Sequence, residues 1–367
     1  MKENFKFGLE TEYCLMELNS KEVLWYEKLN FTQLLNLISN ISLEGIPSLE
    51  GLDDEPAHPN LLPYVIEGYH LKDENFKAFD MHPKGVEIRS PVCNTIEECI
   101  SIQKILYERL INELHKNNLT PLILGHHPWA SNYIGEKSNR PDHFWKWALR
   151  AMTTFGPDFN ISWNTQKGKK LFLNKSDFEE KLNYYAPALV AFSSNGPFFE
   201  NELLKNSINQ KFYKSIRALK RSEVAPLIEW HENENYRIEF KFFEMPISFE
   251  ECHLFFNFCL ILMLTDNLSE RASKENGLLM LKEAANYGLE SIELNNRVLE
   301  MLEKGIPILE YYGFDTNIMK LAYTRLIDKK TPSDYLIADF LENKDLNSTL
   351  NKIKGHTQFA KDWIELF

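Results

Sequence analysis

Phe7-Gly-Leu-Glu-Thr-Glu-Tyr13 sets two carboxylates two residues apart inside an apolar, aromatic-rich run. In a β-strand successive side chains point to opposite faces, so Glu10 and Glu12 share one face while Leu9, Thr11 and Tyr13 take the other. Burying two like charges side by side costs several kcal/mol unless a positive group compensates them. A divalent cation is the simplest compensation, and the rest of the chain can be searched for its other ligands.

Three further segments repeat the pattern of one polar and one apolar face. Glu87 and Arg89 share a face in Gly85-Val-Glu-Ile-Arg-Ser90. Asn160, Ser162 and Asn164 share one in Phe159-Asn-Ile-Ser-Trp-Asn164, with Asp158 just before them. Arg237, Glu239 and Lys241 share one in Tyr236-Arg-Ile-Glu-Phe-Lys-Phe242. An antiparallel sheet with a wet and a dry face explains any one of these strands. Taken together they point elsewhere, because the wet face repeats Glu with interspersed Arg instead of Thr, Ser and Gln. Converging carboxylates with a few cations suit Mg²⁺ ions and a polyphosphate, since hard oxygen ligands select Mg²⁺ or Mn²⁺ over zinc.

The 367 residues suffice for one large domain or two smaller ones. A net charge of −12 with no basic stripe argues against a nucleic-acid partner. The five cysteines, Cys14, Cys93, Cys99, Cys252 and Cys259, form no CxxC pair and read as reduced core thiols. The most apolar run, 254–264, is too short to span a bilayer, and no secretory signal is visible, so a cytoplasmic protein without a membrane partner is the default expectation. Nothing in the sequence fixes the oligomeric state, and a homo-oligomer stays open.

Apolar spacing predicts strands over 5–18, 64–71, 84–91, 119–124, 159–164 and 236–243, with a turn near His82-Pro83. Helices are expected over 23–42, 95–117, 142–154 and 170–192, and after residue 249 over 250–264, 274–285, 289–304 and 306–312, with shorter ones beyond Pro332. Residues 45–63 read as loop. Some strand-to-strand links are too short for a crossover helix, which favours a mainly antiparallel sheet in an α+β fold. Neither GxGxxG after a strand nor GxxxxGK[ST] occurs. The expected organisation is a catalytic sheet-and-helix region over 1–248 and a helical region over 249–367 packed on the same domain.

At these residues the chain resembles the glutamate–cysteine ligase superfamily, in particular its bacterial carboxylate–amine ligase branch. Gly8-Leu-Glu10-Thr-Glu12 is similar to that family's G-x-E-x-E strand. Asp80 with Glu87-Ile-Arg-Ser-Pro91 resembles its D-x6-E-[FIL]-x-[ST]-P element, and Gly125-His-His127-Pro-Trp-Ala130 its G-T-H-P-[FW]-A turn. Gly156-Pro-Asp158-Phe-Asn160-Ile-Ser162 aligns with G-x-H-x-[HN]-x-[GS], residues 188–199 with the A-L-x-A-x-S-x-x-S-P-F helix end, Ser215-Ile-Arg217 with S-x-R, and Arg237-Ile-Glu239-Phe-Lys241 with [IL]-E-x-R. Each motif alone is weak; the seven run in order from residue 7 to about 247.

The resemblance implies a glutamine-synthetase-like curved, mainly antiparallel sheet forming a funnel for ATP and two or three Mg²⁺ ions, Mn²⁺ being an alternative. It implies transfer of phosphate to a carboxylate, usually the γ-carboxylate of glutamate, then attack by an amine such as cysteine, as in glutathione biosynthesis. Carried over residue by residue, Glu10, Glu12, Glu87 and Glu239 are metal ligands, and Asp80 is a further ligand or a supporting group. Arg217 contacts phosphate or substrate carboxylate; Arg89 and Lys241 serve the transferred phosphate; Asp158, Asn160, Ser162 and Arg237 line the substrate and nucleotide surface. His127 belongs to the substrate-side loop and reads equally well as a turn-capping histidine, as Arg89 does as a partner of its neighbouring carboxylates. Two departures stand out: Asp158 replaces the family's histidine, and Lys241 replaces its arginine, keeping the charge without the bidentate fork. They leave the amine open, with a non-cysteine amine in natural-product biosynthesis and a nucleotide-binding pseudo-enzyme as alternatives, a metal-dependent hydrolase ranking below both.

Overall fold

The computed structural model describes residues 4–47, 63–72, 78–130, 151–163, 173–221, 226–232 and 236–355, with the side chains of 70–72 and 78–80 outside that description. Its centre is an antiparallel sheet wound around β1 (Phe5–Glu17). The other strands of the sheet are β2 (Tyr64–Lys72), β3 (Ala78–Arg89), β4 (Leu119–Leu122), β5 (Pro157–Trp163), β8 (Ile228–His231) and β9 (Arg237–Phe240). The order is β2-β3-β1-β5-β9-β8, and β4 pairs the second half of β1. The sheet curls into a half-barrel, the α+β architecture expected. A separate two-stranded ribbon joins β6 (Phe198–Phe199) to β7 (Glu202–Leu203).

The alternation along β1 decides which face is covered. Phe5, Phe7, Leu9, Thr11 and Tyr13 are buried, while Lys6, Glu10 and Glu12 are partly open. Two helices close the apolar face. The first is α2 (Ile96–Lys116), which follows α1 (Phe31–Ser39); its N-cap Thr95 accepts from Glu98 N–H at 3.0 Å, with Glu97 and Glu98 in the first turn. Its Gln103 donates to Thr11 Oγ1 at 2.7 Å. The second is α5 (Phe249–Leu264), which follows α3 (Lys175–Ser193) and α4 (Ile216–Arg221) in the chain. Phe256 packs its ring 4.8 Å from Phe159 and 5.6 Å from Phe7, and Phe255 stacks on Phe243 at 4.5 Å. So the apolar run 254–264 is a core helix, buried almost all round. The five cysteines are free and buried. No helix among the described residues is long and apolar enough to cross a membrane.

The C-terminal helices are α6 (Lys274–Tyr287), α7 (Ile292–Tyr312), α8 (Lys320–Asp328), α9 (Pro332–Asn343) and α10 (Leu346–Lys352). The break expected between 304 and 306 does not occur: α7 continues through it and through Pro307 to Gly313, which ends the helix at φ 87°. The expected turn at His82-Pro83 is also absent. Strand β3 begins at Ala78 and runs through both residues, with Pro83 opposite Gly68 where the β2–β3 register shifts. A proline is tolerated at such a bulge because the ladder is already interrupted there. Helix α1 is shorter than the 23–42 expected, and most of the predicted helix over 142–154 lies outside the described residues.

Gly85 is where β3 crosses β1 too closely for any side chain: an added Cβ would lie 2.0 Å from Tyr13 O. Gly85→Ala is therefore expected to lower the unfolding free energy by about 1–3 kcal/mol. Urea denaturation measures it, and an unchanged midpoint would show that β1 and β3 can part without cost.

Candidate active site

Register brings the polar residues of six strands onto one face. Glu10 pairs Arg89 on one side and Asp158 on the other; Glu12 pairs Glu87; Gly8 pairs Asn160 and Lys6 pairs Ser162. Asn160 in turn pairs Glu239, which pairs Glu229, and His231 pairs Arg237. In an antiparallel ladder directly opposed residues project to the same side. The face therefore runs from Glu67 and Glu87 across Glu10, Glu12, Asp158 and Asn160 to Glu239 and Glu229.

Side-chain cations of this chain hold the carboxylates apart. Lys84, almost wholly buried, lies 2.7 Å from Glu12 Oε1 and donates to Thr154 O at 3.0 Å. The other Glu12 oxygen accepts from Gly156 N–H at 3.1 Å. Arg89 donates to Glu87 Oε2 at 3.1 and 3.2 Å and lies 3.4 Å from Glu10 Oε2. Asn160 Nδ2 donates to Glu10 Oε1 at 2.9 Å. At the other end Lys241 Nζ hydrogen-bonds Glu239 Oε1 and lies 3.0 Å from Asp158 Oδ2 and 3.3 Å from Glu229 Oε2. His231 Nε2 is 2.8 Å from Glu239 Oε2, and Arg237 is 3.4 Å from the same oxygen.

Burial and crowding divide the carboxylates. Burial pushes Glu87 well above the usual carboxylate range despite Arg89, and raises Glu12 despite Lys84. Burial, then the charge of Asp158, pushes Glu239 up to about 8 against the pull of Lys241. Asp158 meets the same burial, but Lys241 and Arg221 hold it below its ordinary value. Without further positive charge, Glu239 retains a proton near neutrality. That is how a cluster built to receive additional cations behaves.

Glu10, Glu12, Glu87, Asp158, Asn160, Ser162, Arg237, Glu239, Lys241 and Arg89 are thus gathered on one face. The backbone of Asp80 lies in β3 opposite Leu71, while its side chain lies outside the described residues. His127 and Arg217 stand elsewhere. His127 is buried, its Nε2 is 3.2 Å from Leu24 O, and its Nδ1 accepts from Trp129 and Ala130 N–H at 3.2 and 3.0 Å. Burial pulls it down to about 4, so it is the neutral turn-capping histidine. Arg217 is buried behind Gly156 and donates to Lys241 O at 2.9 Å and Phe242 O at 3.2 Å. A Cβ on Gly156 would meet its guanidinium at 2.4 Å, and one on Gly125 would meet Glu244 Oε2 at 2.3 Å. These two motif glycines leave room for buried charge.

Sequence reasoning passed over Lys84, Glu229, His231 and Glu244 as site residues, and gave Glu67 only as part of the strand over 64–71. Glu229 and His231 alternate in a strand too short to stand out, and Lys84 reaches the face from beside the Pro83 bulge. Glu244 carries no pattern at all. It accepts from Asn195 N–H at 2.7 Å and from Ser215 Oγ–H, and so ties the end of α3 to the segment after β9.

The donor set suits a hard cation. Single oxygens of Glu10, Asp158 and Glu239 lie within 4.8 Å of one another, as do ligand atoms of Glu229, His231 and Glu239. The first trio is all carboxylate, the chemistry that Mg²⁺ and Mn²⁺ take.

No family model matches the chain. A curated protein named "Putative glutamate–cysteine ligase 2", from Solibacter usitatus (strain Ellin6076), is 22% identical over 352 residues, covering 81% of this chain and 87% of that protein. The chain is thus similar in sequence to a glutamate–cysteine ligase over most of its length. Solved structures share the fold across nearly the whole chain. Glutamate–cysteine ligase from Francisella tularensis in complex with AMP has a TM-score of 0.59 at 11% identity, covering 99% of this chain and 91% of that one. A bifunctional glutathione synthetase from Pasteurella multocida gives 0.59 at 13% identity; this chain is covered in full and spans 53% of that protein's length. The ligase PafA, solved with the prokaryotic ubiquitin-like protein Pup, gives 0.56 at 10% identity, covering 98% of this chain and 73% of that one. The Gly8-Leu-Glu10-Thr-Glu12 segment lies in β1, at the centre of the sheet.

Glu244 is fully buried, and burial pushes it from 4.5 up to about 7 against Ser215, the Asn195 N–H and Arg217. With the folded value above the unfolded one, its contribution to stability is full below about 4.5 and is lost as pH rises towards 7. Between those values the unfolding free energy should fall more steeply in the wild type than in Glu244→Gln, by on the order of 3 kcal/mol. Urea titrations at a series of pH values measure it, and parallel curves would remove Glu244 from that role.

Proposed function

We propose that this chain is an ATP-dependent carboxylate–amine ligase that activates the γ-carboxylate of glutamate on the polar face of the curved sheet and joins it to an amine. A carboxylate is a poor electrophile, because its leaving group would be oxide. Transfer of the ATP γ-phosphoryl group to a carboxylate oxygen gives an acyl phosphate and ADP. The amine nitrogen then attacks the carbonyl carbon, the C–O bond to phosphate breaks, the nitrogen sheds a proton, and amide and inorganic phosphate leave. Transfer of this kind depends mostly on positioning and charge neutralisation.

The observation that carries this reading is the convergence of Glu10, Asp158 and Glu239 beside Lys241 and Arg237, in a chain similar in sequence to a glutamate–cysteine ligase. In this reading Glu10, Glu12, Glu87, Asp158 and Glu239 hold Mg²⁺, which supplies charge neutralisation for the phosphate oxygens. Arg89 and Arg237 flank the same surface and orient phosphate and substrate carboxylate. Asn160 and Ser162 line the surface between them. Arg217 acts at one remove, fixing the backbone of Lys241 and Phe242. Cysteine is the amine suggested by the names of the relative and of the Francisella protein.

Purified protein with Mg²⁺-ATP, glutamate and a panel of amines, cysteine included, is expected to release ADP only when acid and amine are both supplied. No ADP with any combination would sink the ligase chemistry. ADP with another amine but not cysteine would remove cysteine alone. Glu10→Gln and Glu239→Gln are each expected to lower turnover at least about a hundredfold while the far-UV circular dichroism is unchanged. Full activity in either would take that residue out of the site.

A further inference from the structure

Two trios of ligand atoms share Glu239: Glu10 with Asp158, and Glu229 with His231. One ammonium group reaches into both. Lys241 Nζ lies 3.0 Å from Asp158 and 3.3 Å from Glu229, and hydrogen-bonds Glu239. It therefore touches two of the three members of each trio. Arg217 holds the Lys241 carbonyl from behind, and Lys241 N–H donates to Leu227 O at 2.9 Å, so the stem is anchored while its four-carbon arm stays able to turn. Asn160 and Arg89 hold Glu10, the one ligand of the first trio that Lys241 does not touch.

We propose that Lys241 is a tethered placeholder cation: its ammonium fills the carboxylate cluster shared by β5, β9 and β8 and competes directly with a divalent ion for the same oxygens. A divalent ion entering either trio needs Glu239, and Lys241 already holds that side chain. Two cations a few ångströms apart in a partly buried site repel strongly, so ion and ammonium exclude each other. A guanidinium at this position would fill the space with a rigid fork; a lysine can vacate it by rotating its arm. The ammonium thus keeps Asp158, Glu229 and Glu239 compensated without an ion, at the expense of ion affinity.

This inference rests on the reading of the face as a cation site, and it is tested with Mn²⁺ alone, without nucleotide or substrates, so that its outcome is separate from that of the ligase assay. The full chain and its Lys241→Met variant are titrated with Mn²⁺ and followed by electron paramagnetic resonance of the free ion. Lys241→Met is expected to bind Mn²⁺ about tenfold more tightly, or to gain a site, whereas Lys241→Arg, which keeps the charge and vacates the space less readily, binds no more tightly than the wild type. In EDTA the Met variant should melt below the wild type, and Mn²⁺ should close that gap. This thermal readout also serves if the variant folds poorly without the ion. Equal Mn²⁺ binding by wild type and Lys241→Met, or none by either, overturns the proposal. So does an equal gain in Lys241→Arg, because charge is then not what competes.

Discussion

Everything at the centre of this molecule follows from placing more carboxylates on one sheet face than the sheet can leave unpaired. Glu10, Glu12, Glu67, Glu87, Asp158, Glu229 and Glu239 lie within a few strands of each other, and Lys84, Arg89, Arg237 and Lys241 are threaded between them. Removing one partner from a buried pair is far more damaging than the pair is worth, because the remaining charge has no water to turn to. The cations are therefore part of the fold as much as of the chemistry. The raised values of Glu12, Glu87 and Glu239 show that they fall short of full compensation.

Behind the face the same principle is met by backbone and glycine. Arg217 and Glu244 are buried charges that never reach the open surface; their partners are carbonyls, an amide and a hydroxyl. Gly156 and Gly125 are small because those side chains stand where a Cβ would be. The motifs around these glycines look like substrate loops in the sequence, yet in the fold part of their job is to seat charge beneath the loops.

Much of this was legible in one dimension. Strict alternation over 5–13 gave away both faces of β1, and the same pattern located β5, β9 and the second half of β3. Long amphipathic or apolar stretches located α2 and α5 to within a residue or two. What failed did so for physical reasons. Pro83 was read as a turn because a proline within a ladder is normally excluded, and only the pairing shift opposite Gly68 makes it admissible. Gly305 was read as a gap between two helices, although packing on the core keeps α7 whole: Gly305 lies so close to Ile261 that a Cβ there would approach its side chain to 2.5 Å. Glu229 and His231 sit in four residues whose strand character comes from pairing with β9 and not from their own spacing. Arg217 and His127 matched motifs correctly by order, but a motif does not say whether a side chain faces the open surface or the backbone behind it.

The position of β1 also has a consequence in time. It pairs with β3, β4 and β5, and its apolar side is capped by Phe256 and Phe314, so every partner is encoded after it. At the usual rate of about 5–20 residues per second, Phe7 waits roughly 15 to 60 seconds on the ribosome before Phe314 has been made. Through that interval the apolar side of a strand rich in Phe, Leu and Tyr lacks its full cover. Its two glutamates, a burden in the finished sheet, are then the charges that keep it from pairing with the wrong chain.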